Sequence, residues 1–262
     1  MEFSYSEKQL EIKAMLRVFA EKEIVPILDK MDRDAEYPLE TVKKLALSVK
    51  EGLCTEPVER SQNKLTCTKK NEGFKTSGQV QYVAQTGNFK KKGLEYTGAL
   101  EILKVILSYD YLWINLRVKG GAYGCMSGFK RNGESYLVSY RDPHLKRTLD
   151  VYKGIPEYIR GFQADEREMT KYIIGTISGK DVPKTPQMKG SVSKTAYFCG
   201  VTEEMIQKER DQILNASVED IHGLAEIIEA VLAADQICVV GSESKVSEAS
   251  DVLMEVKSLI NC

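Results

Sequence analysis

The residues best suited to chemistry lie in mid-chain, in the run Leu116-Arg117-Val118-Lys119-Gly120-Gly121-Ala122-Tyr123-Gly124. Arg117 carries a rigid fork of N–H donors and Tyr123 a phenolic O–H. Both are donors that suit an oxygen carrying negative charge. Gly120 and Gly121 allow the short turn that would bring the two side chains to one rim. The same residues have a plain structural reading: a cation at a helix C-terminus, a helix stop and a strand aromatic. The two glycines do not make a phosphate loop, because they follow a helix pattern instead of preceding one.

Other candidates carry less. The chain has two histidines, His144 and His222. An H-x-x-E-H zinc helix needs two histidines four apart, with a glutamate between them as general base; that spacing does not occur. His144 follows Asp142-Pro143, which reads as a cap and first-turn proline opening a helix. His222 has Glu226 at i+4, which allows a helix pair. Asp165, Glu166 and Glu168 could be read as paired carboxylates, but Asp165-x-x-Glu168 is explained by a capping box. Six cysteines, at 54, 67, 125, 199, 238 and 262, show no C-x-x-C spacing. Reduced, mostly buried thiols are expected, as in a cytoplasmic protein.

Composition sets the class. Hydrophobic residues make up 42% and charged residues 29% of 262, which suits a soluble globular protein. A net charge of −1 gives no global field for nucleic acid or membrane. No apolar run approaches the ~18–20 residues of a spanning helix, and the first residues lack the basic and apolar regions of a signal peptide. The stretch 52–93 holds eight Lys/Arg against three Glu, and reads as a solvated linker.

The elements that must position Arg117 and Tyr123 follow from periodicity. Residues 5–31 read as an amphipathic helix kinked or ended at Pro26, and 38–48 as a second, with Pro38 in its first turn. Lys50 to Phe74 is polar and reads as a linker. Gly78 to Asn88 alternates as a strand, with Val80, Tyr82 and Ala84 on one face. Tyr96 to Leu116 is apolar nearly all round and predicts a helix buried on most sides. Ala122–Phe129 and Glu134–Tyr140 predict a hairpin turned at Asn132-Gly133. Helices follow at 166–178, 188–199, 203–214 and 218–233, then a strand from Gln236 to Val240 and a last helix at about 245–260. This order implies an α+β fold, a mainly antiparallel sheet covered by helices, preceded by a short helical segment.

Much of 71–242 resembles the last domain of presequence proteases, in the pitrilysin/insulinase family of zinc metallopeptidases. The resemblance rests on the run around Arg117 and on Asn71-Glu72-Gly73-Phe74, Gln79-Val80-Gln81-Tyr82-Val83-Ala84, Ile106 to Trp113, Ser139-Tyr140-Arg141-Asp142-Pro143 and Asp165 to Thr176. It implies one of two halves that close around a peptide, with zinc and base in the other half. It also implies substrate contacts from Arg117, Tyr123, Gly120 and Gly121. Residues 1–47 separately resemble the first helices of acyl-CoA dehydrogenases, through Glu21 to Ile27 and Tyr37 to Leu45. The flavin site and catalytic glutamate of that family have no counterpart here.

The expected organisation is therefore chimeric: a dehydrogenase-like helical fragment at 1–48, a linker or seam at 49–70, and a peptidase C-terminal domain at 71–262. The expected function is the substrate-binding, non-zinc half of a presequence-protease-like metalloendopeptidase, inactive alone. No cofactor or metal is expected in this chain, with zinc only in the missing N-terminal half. The expected partners are a peptide and a zinc-bearing half in trans. Two alternatives stand: a non-catalytic peptide-binding module, and a flavin-dependent dehydrogenase remnant.

Overall fold

The structure, a computed structural model, describes residues 6–27, 39–51 and 68–259. It divides into two compact units, Met1–Leu65 and Thr66–Cys262. In the first, helix α1 (Glu7–Phe19) starts at a capping box, Ser6 with Gln9. It continues as a π turn (Ala20–Ile24) and a 3-10 turn (Val25–Ile27) that contains Pro26. Helix α2 spans Leu39–Glu51, and Pro38 lies outside the described residues. Lys44 reaches Glu23 at 2.7 Å. No described side chain of this unit is buried, and Leu10, Ile12, Leu16 and Val18 are exposed.

The second unit is a six-stranded sheet with helices. Its strands are β1 (Glu72–Thr76), β2 (Gln81–Asn88), β3 (Gly124–Phe129), β4 (Glu134–Asp142), β5 (Gln236–Ser242) and β6 (Glu255–Ser258), in the order β3-β4-β2-β5-β1-β6. The pairs β3–β4, β4–β2 and β2–β5 are antiparallel, while β1 runs parallel to both β5 and β6. The class is α+β with a mixed, mostly antiparallel sheet. The helices are α3 (Ala99–Ile106), α4 (Lys146–Lys153), α5 (Ile155–Arg160), α6 (Glu166–Lys180), α7 (Pro186–Cys199), α8 (Glu203–Leu214), α9 (Val218–Gly223), α10 (Ala225–Ala233) and α11 (Glu243–Glu248). Val83, Leu137 and Val239 of the sheet join Leu103, Ile106 and Ile228 of the helices in one core. Among the described residues no helix is long and apolar enough to cross a membrane.

Several elements differ from the sequence reading. The polar stretch ending at Phe74 contains β1, a strand between β5 and β6. Strand β1 is short and largely polar, and it shows no alternation because only Gly73 is buried, under Val246 and Leu253. Of the basic stretch, Lys69, Lys70, Lys75 and Lys90 are surface ion-pair partners of Asp235, Glu255, Glu243 and Glu95, so this half is not a linker. The last helix of the sequence reading is α11 followed by β6, because the free edge of β1 takes residues 255–258 into the ladder. The helix at 218–233 breaks at Leu224 into α9 and α10. Strand β2 buries Gln81, Val83 and Gln85, so the apolar alternation at Tyr82 marks the outward face. Of the described thiols, Cys125 is half-buried and Cys199 and Cys238 are exposed, not mostly buried as expected.

Asn71 ties the starts of three strands together. Its side chain accepts the Ile237 N–H at 3.1 Å and donates to Val252 O at 3.3 Å. Its carbonyl accepts the Met254 N–H at 2.7 Å. Asn71→Ala leaves the buried Ile237 N–H without its partner, at an expected cost of about 1–3 kcal/mol. Urea titration should show a lower midpoint at unchanged slope; an unchanged midpoint would mean that β1 is held without this staple.

Candidate functional site

The helix that carries Arg117 begins as α3 and then widens into two π turns, Leu107–Tyr111 and Trp113–Val118. Ser108 donates to Lys104 O at 2.7 Å and Asn115 to Tyr111 O at 2.9 Å, side-chain bonds that compete with the α-helical ladder. The widened turns bury Leu107, Leu112 and Leu116 and leave Tyr109, Trp113, Ile114 and Val118 exposed. Burial on most sides is thus corrected: this helix presents a solvent face, with Trp113 and Arg117 on it.

Gly121 ends the helix in the left-handed conformation, φ 77°. Its N–H bonds to Arg117 O, and the Ala122 N–H to Leu116 O, both at 2.9 Å. This is a glycine-closed helix end widened by the π turn. Gly120 is required by space, since a Cβ there would lie 2.4 Å from Leu116 O. Arg147 donates to the late carbonyls of Lys119 (3.1 Å) and Asn115 (3.3 Å). The glycines thus serve the turn, and the turn joins the two candidate side chains.

Arg117 Nη1 donates to Tyr123 O at 2.9 Å. Its guanidinium carbon stands 4.2 Å from the Trp113 ring and 5.8 Å from the Tyr123 ring, a cation held over aromatic faces. Tyr123 is 57% exposed. Tyr140 lies across Gly124, where a Cβ would come 2.4 Å from its hydroxyl, and its ring centre is 5.7 Å from that of Tyr123. Arg141 brings a second guanidinium to 5.6 Å from Tyr123. Gln79, Val80, Arg117, Gly121, Ala122, Tyr123 and Arg141 line an open hollow of about 670 Å³. Among the described residues neither arginine enters an ion pair. Burial pushes the adjacent Cys125 thiol up to about 11, against the opposing charge of Arg117, so it is protonated at neutral pH and not a nucleophile. The arrangement can hold backbone carbonyls and stabilise negative charge; it supplies no attacking group.

The remaining candidates lie elsewhere. Asp142 ends β4 and does not cap α4, whose first residue is Lys146. Its buried carboxylate accepts the His144 N–H at 2.8 Å and the Thr148 hydroxyl at 2.7 Å. His144 therefore sits in the connecting turn and not in the helix. His222 pairs with Phe162 O at 2.7 Å instead of Glu226, because the helix breaks between them. Asp165 and Glu168 form the capping box of α6. A larger hollow of about 1200 Å³ includes Glu203, Asp211 and Asp220 in its wall, and its acidic lining does not suit an oxyanion. Among the described residues no three His, Cys, Asp or Glu side chains converge as a metal site. Trp113, Tyr140 and Arg141 lie in segments that carry the resemblance but were not expected at the site. Trp113 is four residues before Arg117, a legible signal; the placement of Arg141 depends on a backbone irregularity that leaves no mark in composition.

Residues 71–244 match the family model described as the PreP C-terminal domain, and residues 6–58 match the acyl-CoA dehydrogenase, N-terminal domain. The chain is 50% identical over 202 residues to Protein HypA of Clostridium perfringens, covering 77% of this chain and 21% of that protein. It is 36% identical over 183 residues to presequence protease 1, chloroplastic/mitochondrial, of Arabidopsis thaliana, covering 70% of this chain and 17% of that one. It thus spans about a fifth of the length of these relatives. Among solved structures, the peptidase M16 inactive domain from Pseudomonas fluorescens aligns with a TM-score of 0.53 at 17% identity, over 79% of this chain and 51% of that one, and shares the fold. By the match over residues 71–244, the chain belongs to the PreP C-terminal domain family, with a segment similar to acyl-CoA dehydrogenases ahead of it.

Proposed function

We propose that residues 71–262 form the substrate-binding, non-zinc half of a presequence-protease-like metalloendopeptidase. The observation that carries this reading is the pairing of Arg117 with Tyr123 at one rim of an open hollow. An extended peptide laid there would meet a guanidinium and a phenol as donors to its carbonyl oxygens. Arg117 and Tyr123 hold the substrate and stabilise charge on it; attack on the peptide bond comes from a zinc-bearing half in trans. The site of action is proposed to be the cytoplasm. The second reading is a non-catalytic peptide-binding module, in which the same hollow binds a peptide without a zinc-bearing half. The dehydrogenase reading draws on residues 6–58 alone.

Fluorescence anisotropy with an unstructured labelled peptide tests the proposal. The purified chain is expected to bind the peptide and leave it intact by mass spectrometry. Cleavage should begin on addition of a zinc-bearing presequence-protease half. Absence of binding would sink both readings. Binding without cleavage in the presence of that half would favour the second. Chelator-sensitive cleavage by the chain alone would overturn the division of labour.

A further inference from the structure

We infer that Arg141 is a second substrate-binding residue at this hollow, and that it reads a carboxylate on the bound peptide. This rests on the peptide-binding reading above. The first observation is in the backbone. Gln81 pairs with Asp142 and Val83 with Ser139, so Tyr140 and Arg141 together stand opposite the single residue Tyr82. This is a β-bulge, a device that re-aims a side chain. Arg141 occupies it at φ 49°, in the left-handed region that glycine adopts without strain. An arginine kept there, beside a candidate site, points from a strained backbone to function. Arg141 O accepts the Tyr123 N–H at 3.2 Å, which locks the bulge to the tyrosine that its side chain approaches.

The second observation is electrostatic. Arg131, Arg160 and Arg210 of the same unit pair with Glu209, Glu229 and Asp181. Among the described residues Arg117 and Arg141, like Arg147 and Arg167, enter no ion pair, yet these two guanidiniums lie within 6 Å of one ring, at 5.8 and 5.6 Å. Two like charges beside one ring, with no counter-charge among the described residues, favour an anion there. The two differ in what they have free. Arg117 already donates to Tyr123 O. Arg141 makes no hydrogen bond through its guanidinium among the described residues, so its fork is open to a bidentate carboxylate. That carboxylate is an Asp or Glu side chain of the peptide or its C-terminus.

Three labelled peptides of one sequence separate these sources: one with a single Glu and an amidated C-terminus, one with Gln and an amide, and one with Gln and a free C-terminus. The full chain should bind one of the carboxylate peptides about tenfold more tightly than the neutral one, the ratio expected of a charge-assisted bond. Arg141→Gln should remove that preference, bringing the affinity for the carboxylate peptide down to that for the neutral one. Arg141→Gly should remove it too while raising Tm, since glycine relaxes the bulge; a purely structural arginine would instead lower Tm on removal. Equal binding of all three peptides, or a preference that survives Arg141→Gln, refutes the carboxylate role and leaves peptide binding standing. No binding of any peptide removes both.

Discussion

With a zinc-bearing presequence-protease half supplied, Arg117→Ala is expected to lower kcat/KM by about 10²–10³-fold, the usual effect of losing one donor to a developing oxyanion. Tyr123→Phe, which deletes only the hydroxyl, should act in the same direction. The effect on folding should be small. Arg117 is exposed, and its removal gives up one bond to Tyr123 O and the stacking on Trp113. Together these contribute about 1–2 kcal/mol, with Tyr123 O returned to water. Chemical denaturation of each variant beside its steady-state kinetics separates the two roles. Large destabilisation with unchanged turnover would show that the pair serves the helix end and the hairpin alone.

Gly87→Ala is expected to be the costliest small change in the fold, at about 3 kcal/mol, the upper end for overpacking. Gly87 lies on the buried face of β2. A Cβ there would meet Val231 O at 2.2 Å and Val231 Cα at 2.8 Å. Both obstacles are backbone of α10, so no rotamer change relieves the clash, and helix and strand must separate. A glycine inside a strand commonly marks such a close approach. For a unit of this size the loss corresponds to about 6–12 °C in Tm. A shift within about 0.5 kcal/mol, the range of an ordinary surface substitution, would mean that α10 is not held against β2.

The elements legible in the sequence are those whose signals act over a few residues. Asp165-x-x-Glu168 names its own helix start, because the cap satisfies N–H groups within one turn. Asn132-Gly133 marks its hairpin, and the turn from Lys130 to Gly133 closes with Gly133 at φ 87°. The span from Arg117 to Tyr123 is short enough that two glycines suffice to set its geometry.

Tertiary structure decided the rest. β1 and β6 have little strand character of their own and exist through parallel ladders to residues far away in the chain, a gain that no local window contains. Strand β2 turns Gln81 inward because its side-chain oxygen accepts the Ser242 N–H at 2.8 Å, which reverses the face that hydrophobicity suggests. The π turns rotate Trp113 and Arg117 to solvent in a segment whose apolar content predicts burial. Arg141 reaches the site only because a bulge adds one residue to β4, and a bulge is a property of two paired strands. The sequence by itself determined the family, the cap, the hairpin and the Arg117–Tyr123 pair; long-range pairing and packing determined which faces are buried and which charges stand together at the hollow.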